Sequence, residues 1–409
     1  LARQMKGART PPALATLIVL TGVSILSINM FATSLAHMAA DFQVDYAVMS
    51  IAVGGYLFMT ALLQLIFGPL SDLYGRRPLI LIGMAIFALA SVVCALTENV
   101  QVFLVARMCQ AASATGVALS RAIIRDQYEG RAVAQKMATV AMVMAVAPLM
   151  GPALGGVIDQ LLGWRATFWL YALIGIGIFA LAWVDLGETN HHRAASFSEQ
   201  FRAYPELVAA PRFWGYTICW SFSVASFHTF VAGAPLAVSG AFALPPSRLG
   251  VYMGVMTLGY IAGNMVSARV ARHLDWPLTR MMIIGRVVAI LAIGAALAQV
   301  LLGEPRLEVF FCAAGISGLS NGLSSPNAAA GVMSVRPQLA GSASGLSSAM
   351  IMLMGGVGAT LQGLVITAGN GVTVVLTVMF AAGAISLAAA LWVRWLEGRR
   401  AREEALSAE

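Results

Sequence analysis

Charge is scarce in this 409-residue chain. Asp, Glu, Lys and Arg together make up 11% of it, against 59% hydrophobic residues. No water-soluble fold of this length hides so much apolar surface in a core, so soluble enzymes and soluble binding domains are excluded. Carboxylates are missing from the middle of every long apolar run. Asp126, Asp159 and Asp185 stand near run ends, and Asp41 and Glu98 lie at or beside loops. The four cysteines, Cys94, Cys109, Cys219 and Cys312, all fall inside apolar runs. That placement excludes a disulfide framework and reads as small buried apolar side chains. No Cys/His spacing suggests a metal site, and no Gly-x-x-x-x-Gly-Lys loop suggests ATP as an energy source. An intramembrane enzyme lacks support too, since there is no paired carboxylate, metal cluster or Ser/His dyad. The sequence implies no cofactor.

Long apolar runs fill the chain. Stretches of about 20 apolar residues, the length needed to cross a bilayer as helix, occur near 11–36, 46–68, 79–97, 100–122, 137–158, 165–185, 213–237, 248–270, 279–301, 307–328, 342–365 and 372–394. A secretory signal peptide explains little, because the runs continue to the far end. The net charge of +7 fits either nucleic acid or a membrane surface, and its distribution decides for the membrane. Alternate loops with the two ends hold 20 Lys and Arg; the opposite loops hold only Arg165, Arg248 and Arg306. By the positive-inside rule both termini are cytoplasmic, which requires an even number of spans. Two arginines, Arg107 and Arg286, lie within spans.

The longest connection, GETNHHRAASFSEQFRAYPELVAAPR at 187–212, is polar and has a helical pattern near 197–210. It separates six spans from six, as in a transporter of two parallel repeats. The expected architecture is all-α integral membrane, with twelve spans in two six-helix bundles. Its parts are a cytoplasmic segment 1–10, a bundle 11–186, a cytoplasmic linker 187–212, a bundle 213–394 and a cytoplasmic tail 395–409.

The loop after the second span reads GPLSDLYGRRP, Gly68 to Pro78. Gly75 suits a tight turn, Arg76 and Arg77 hold to the cytoplasmic face, and Asp72 can meet a helix N-terminus or an arginine of the other half. Gly68, Asp72, Gly75, Arg76 and Arg77 match the Gly-x-x-x-Asp-x-x-Gly-Arg-Arg/Lys pattern of the major facilitator superfamily, which the chain resembles here. The fifth span carries APLMGPALGGVI. Ala147, Gly151 and Gly155 fall on one face, where a neighbouring helix can approach closely, and Pro152 permits a bend. With Gly156, this stretch resembles the Gly-Pro-x-x-Gly-Gly motif of the drug:proton antiporters, which favours export over import.

The fourth span, FLVARMCQAASATGVALSRAIIRDQY, resembles the family's Arg-x-x-Gln motif through Arg107 and Gln110, although Ala111 stands where a glycine usually follows. Arg107, Gln110, Ala114, Arg121 and Arg125 share one helical stripe. Arg121 and Arg125 can reach lipid phosphates; Arg107, about 21 Å further in, cannot. A buried guanidinium keeps its proton and needs an acceptor, so Arg107 is a functional candidate by default. Together with Arg125 and Asp126 in RDQY, and INMF in the first span, the pattern resembles the Bcr/CflA branch. That branch exports bicyclomycin, chloramphenicol and florfenicol.

In that branch the first span usually reads Asp-Met-Tyr-x-Pro. Here the matching residues are Asn29, Met30, Phe31, Ala32 and Thr33. The resemblance places the proton-binding acid where this chain has an amide, facing Arg107. Asn29 is either natural or an engineered mimic of the protonated acid. The remaining candidates for the coupling proton are His228 in the seventh span, His37 near the outer surface, and Asp126 at the cytoplasmic mouth. With no opposing carboxylate, Arg107 makes a neutral-to-positive cavity, which disfavours lipophilic cations and suits neutral or anionic amphiphiles such as amphenicols. Tyr56, Trp220, Phe227, Tyr252, Tyr260 and Asn321 are candidate walls.

Three functions follow. The leading one is secondary active multidrug efflux by alternating access, driven by the proton gradient, with the antibiotic resistance that implies. A second is export of an anionic metabolite or siderophore-like molecule, with Arg107 as counter-ion and no carboxylate proton site. A third is a non-translocating membrane receptor, which the two switch motifs, Gly68–Pro78 and the helix-5 glycines, disfavour. The partners expected are a small-molecule substrate and the lipid bilayer, without nucleic acid, for a monomer in the bacterial inner membrane.

Overall fold

The computed structural model describes residues 12–128, 131–190, 204–242, 244–274 and 276–408, and every regular element in them is helical. The first span is not one helix. It runs as α1 (Leu14–Asn29), a 3-10 turn (Ala32–Ser34) and α2 (Leu35–Asp41). After it come α3 (Tyr46–Tyr74), α4 (Arg76–Leu96) and α5 (Val100–Cys109). A second 3-10 turn (Gln110–Ser113) leads into α6 (Ala114–Gln127), α7 (Arg131–Leu162) and α8 (Trp164–Asp185). In the linker, Tyr204–Val208 forms the short α9; the part of the expected linker helix at 197–203 lies outside the described residues. Then follow α10 (Pro211–Phe242), α11 (Pro246–His273), α12 (Leu278–Leu302), α13 (Leu307–Ser334), α14 (Ala340–Val365) and α15 (Gly371–Ala408). The last helix outruns its apolar stretch because its tail, EGRRAREEALSA, is rich in strong helix formers.

Ten spans long and apolar enough to cross a membrane occur among the described residues. The other two expected spans are α7, whose Val146–Leu162 part is apolar, and α13. In α13 a series of buried hydroxyls and amides, Ser317, Ser320, Asn321, Ser324, Ser325 and Asn327, lowers the hydropathy of an otherwise apolar helix.

The helices gather into two compact units. The first holds α1–α8 together with Pro245–Gly250; the second holds α9, α10 and the chain from Val251 onward. In the first, α4 packs on α8, and α7 packs on α1 and its 3-10 turn. An aromatic core of Phe103, Trp164, Phe168 and Tyr171 lies inside, with edge-to-face rings 5.3–5.8 Å apart. In the second, α10 packs on α13, α14 and α15. There α11 and α13 touch backbone to backbone: a Cβ on Gly318 would sit 1.9 Å from the Met256 carbonyl oxygen, and one on Gly263 2.0 Å from that of Leu319. Small residues at the contact are how membrane helices gain van der Waals packing when burial from water offers no drive.

The cysteines need a correction. Cys94 and Cys219 are buried, but Cys109 and Cys312 are exposed, and all four are free thiols. An apolar run predicts hydrocarbon around a thiol, and on a membrane helix the outward face meets that condition as well as the core does.

Candidate functional site

Arg107 occupies the last turn of α5 and is fully buried. Its Nη2 donates to the Ser27 carbonyl at 2.6 Å, and its Nη1 donates to Ser27 Oγ at 3.0 Å and to Gln110 Oε1 at 2.6 Å. Gln110 is oriented in turn by its amide, which donates to Ser91 Oγ of α4 at 2.7 Å. The guanidinium plane lies between two rings, Phe31 and Tyr56, each centred 4.1 Å from Cζ. Such cation–π contacts contribute about 0.5–2 kcal/mol each, towards the upper end when desolvated. Tyr56 donates or accepts a hydrogen bond with Ser113 Oγ at 3.1 Å, and Tyr171 of α8 donates to the Leu26 carbonyl at 3.1 Å. Five helices and a 3-10 turn thus converge on one charge. Among the described residues no carboxylate pairs with it, and its Nε has no hydrogen-bond partner.

Asn29 does not face this arginine, contrary to expectation. Ser27 and Phe31, four residues apart, form the face that meets Arg107. Asn29 stands two residues beyond Ser27, about 200° around the helix. It points at α7, where a Cβ on Gly151 would lie 3.2 Å from the Asn29 Cβ. Its Nδ2 donates back to the Ile25 carbonyl at 2.8 Å, and its buried Oδ1 meets no donor among the described residues. Thr33, one turn on, is buried with its hydroxyl likewise unpartnered. At this level α1 stops being helical, and Gly155 of α7 is so close that a Cβ there would sit 1.6 Å from the Met30 carbonyl oxygen. Gly151 and Gly155 therefore form a seam with the broken first span inside one unit, while a Cβ on Gly156 would lie 2.1 Å from the Pro246 carbonyl oxygen.

The Gly68–Pro78 loop builds an ion cluster. Gly75 adopts φ +99°, a left-handed region open to glycine, and lets α4 begin at Arg76. Arg76 grips Asp126 through Nε at 2.5 Å and Nη2 at 3.2 Å, and also contacts Asp72 at 3.5 Å. Asp126, the proton candidate at the cytoplasmic mouth, is thus the clamped partner of Arg76. Asp72 meets an arginine of its own loop. Arg77 donates to the Trp183 carbonyl at 2.8 Å, while a Cβ on Gly68 would meet nothing within 4 Å. The side chain of Arg125 lies outside the described residues.

Sequence reasoning missed Glu188 here. Its carboxylate accepts the backbone N–H groups of Arg76 (3.0 Å), Arg77 (3.3 Å), Thr189 (3.0 Å) and Asn190 (2.9 Å), closing the N-terminus of α4. Asn190 adds bonds to the Ser71 and Asp72 carbonyls. An acid in a polar linker carries no signal that it caps a helix more than a hundred residues earlier.

In the second unit, His228 is buried and its Nδ1 bonds the Val224 carbonyl at 3.1 Å. Phe227 lies edge-on to it, with centroids 5.6 Å apart. Trp220 packs against the core around Phe213, Tyr216 and Cys219, so it serves packing. Tyr252 is an exposed residue stacked on Phe311 at 4.9 Å, and Tyr260 is partly buried. Asn321 is engaged rather than open: its Oδ1 accepts from Arg286 Nη2 at 2.9 Å. Arg286 is a second fully buried guanidinium, also bonded to Ser320 Oγ at 2.8 Å and Ser324 Oγ at 3.1 Å. An arginine inside an apolar run was its signal, the same signal that singled out Arg107. Among the described residues no cluster of His, Cys, Asp and Glu could hold a metal ion.

Comparison with known proteins agrees with this geometry. The Major Facilitator Superfamily profile matches residues 17–359. A chloramphenicol resistance protein of Pseudomonas aeruginosa is 34% identical over 229 residues, covering 54% of each chain. Multidrug resistance protein D of Escherichia coli is 32% identical over 180 residues, 44% of this chain and 46% of that one. The chain thus spans about half the length of these curated relatives. The solved structure of a bacterial homolog to the human lysosomal transporter Spinster superposes with a TM-score of 0.75 over 93% of this chain and 95% of that one, at 16% identity, which speaks for the fold alone. The chain belongs to the Major Facilitator Superfamily, the family of membrane transporters whose motifs its loops and helices carry.

Proposed function

We propose that the protein exports small neutral or anionic amphiphiles, amphenicols among the neutral ones, by alternating access of two six-helix bundles in a bacterial inner membrane, as a monomer driven by the proton gradient. The observation that carries this reading is Arg107: a fully buried, permanently charged group whose described partners are all neutral. Arg286 repeats the pattern in the second unit. A cation inside low dielectric raises the potential around it, so lipophilic cations are repelled while neutral dipoles and anions are accepted. The relatives named for chloramphenicol and multidrug resistance support export of drug-like molecules. Two buried guanidiniums with no carboxylate partner among the described residues also favour a second reading, export of an anionic metabolite.

Transport into proteoliposomes under an imposed pH gradient tests the proposal. Chloramphenicol is expected to accumulate and tetraphenylphosphonium is not. Accumulation of the cation alone would refute the charge argument, and movement of no neutral, anionic or cationic probe under any gradient would favour a receptor.

A further inference from the structure

Asn29 has no titratable proton and Arg107 keeps its own, so an exporter run on a pH gradient needs its proton-binding group elsewhere. The α7 seam leads to one. Gly151, Gly155 and Asp159 recur every fourth residue and share a face of α7. The two glycines take the α1 backbone at Asn29 and Met30. Asp159, one turn further along, meets His37 of α2, with Nδ1 to Oδ2 at 2.9 Å. The Asp159 side chain is 2% exposed, whereas the His37 side chain is 57% exposed. A cavity of about 420 Å³ lies over the pair, walled by α2, the end of α7 and the start of α8. The positive-inside rule puts this end of α7 on the extracytoplasmic side.

The other charges nearby are already matched. Arg165, the one cation on the described cavity wall, bonds Asp41, and Trp164 Nε1 donates to that same carboxylate at 3.0 Å. Asp45, just before α3, and Tyr46 at its start do not line the cavity, and Arg248, in the Pro245–Gly250 segment of this unit, is exposed. Helix α1 has no charged residue; on α6, Arg121 lies mid-helix against Met144 of α7, Arg125 and Asp126 lie at the far end, and Asp185 of α8 sits at the end away from the cavity. Among the described ionisable groups Asp159 is therefore left to His37, with the Ser34 hydroxyl of the 3-10 turn as its other neighbour.

We infer that Asp159 and His37 form the extracytoplasmic proton-binding site of this transporter, with Asp159 as the buried acceptor and His37 as the relay to water. The inference rests on the proton-driven export proposed above. With Asp159 ionised, His37 carries its hydrogen on Nδ1, 2.9 Å from an Oδ2 that has no aligned hydrogen-bond donor among the described residues. A proton from outside water adds to Nε2, and the Nδ1 proton passes to Oδ2. The result is a neutral carboxyl and a neutral imidazole protonated on Nε2, a net uptake of one proton. The charge of the bridge between α2 and α7 is lost at the point where the glycine seam ends, which couples the proton to the seam.

The test compares the full-length protein with Asp159→Asn and His37→Gln in proteoliposomes. Chloramphenicol is followed both under a pH gradient and in gradient-free counterflow. For one proton exchanged per neutral substrate, a gradient of about one pH unit supports about tenfold accumulation. Asp159→Asn is expected to bring that ratio to about one while counterflow persists, because exchange requires no net proton movement. His37→Gln is expected to slow the gradient-driven rate and leave the final ratio unchanged. Accumulation by Asp159→Asn equal to the unmodified protein would overturn the inference alone; absence of accumulation by the unmodified protein would overturn the export reading with it. If Asp159→Asn also loses counterflow, His37→Gln decides, since its exposed side chain tolerates replacement: an unchanged driven rate at every outside pH rejects the relay.

Discussion

Replacing Gly155 by alanine tests the seam on which the site depends. The added Cβ would lie 1.6 Å from the Met30 carbonyl oxygen and 2.6 Å from its carbon. Ordinary carbon–oxygen contacts begin at about 3.3 Å, so α1 and α7 must part by roughly 1.7 Å, or the Met30 peptide must turn. The obstacle is backbone, which cannot step aside as a flexible side chain can. Overpacking costs about 1–3 kcal/mol, and the rigid obstacle argues for the upper end. For a cooperative unit of this size, about 3 kcal/mol lowers the unfolding midpoint by about 6–12 °C. Phe31 adjoins Met30 and covers the Arg107 guanidinium, so opening the seam also uncovers the charge, and chloramphenicol binding is expected to weaken together with stability. The control is Gly177 of α8, where a Cβ would meet nothing within 4 Å; alanine there is expected to be neutral or to stabilise by up to about 1 kcal/mol through helix propensity. Scanning fluorimetry of the detergent-solubilised variants reads both. If Gly155→Ala unfolds at the unmodified protein's temperature, the close approach of α1 and α7 is refuted.

Two further outcomes follow from the site and the loop. Arg107→Ala is expected to weaken chloramphenicol binding about 10- to 100-fold, the range of one charge-assisted hydrogen bond, while gel filtration shows an intact fold; unchanged affinity in calorimetry would reduce Arg107 to a structural role. Gly75→Ala is expected to destabilise by about 2 kcal/mol, since it forces a β-carbon into φ +99° and to within 2.3 Å of Glu188 Oε2. In a Glu188→Ala background the same change is expected to cost only the backbone strain, and an additive pair of unfolding midpoints would reject the Glu188 contact.

Residues that break the rule of an apolar run could be read from the sequence; what they touch could not. Arg107 stands out in hydrocarbon whatever surrounds it, and Gln110 one turn later is its partner in the structure as in the motif. The opposite member was misplaced because alignment by motif fixes position along α1 but not rotation about its axis. Asn29 stands two positions after Ser27, and that offset moves the amide from the arginine to the glycines of α7. The breaks at Met30–Phe31 and at Gln110–Ser113 were invisible for a related reason. No proline or glycine marks either, and the first lies where Gly155 packs on the Met30 carbonyl. Asp159 shows the same limit in charge rather than shape. An acid near the end of a span reads as a solvated loop residue, and only the approach of the His37 side chain on α2 shows it enclosed and facing an imidazole. A transporter's coupling group needs both burial and a route to water, and a sequence displays neither until two helices are placed side by side. The search for such groups therefore belongs at the helix ends as well as at the midplane, wherever a small-residue seam holds two spans close enough to enclose a carboxylate.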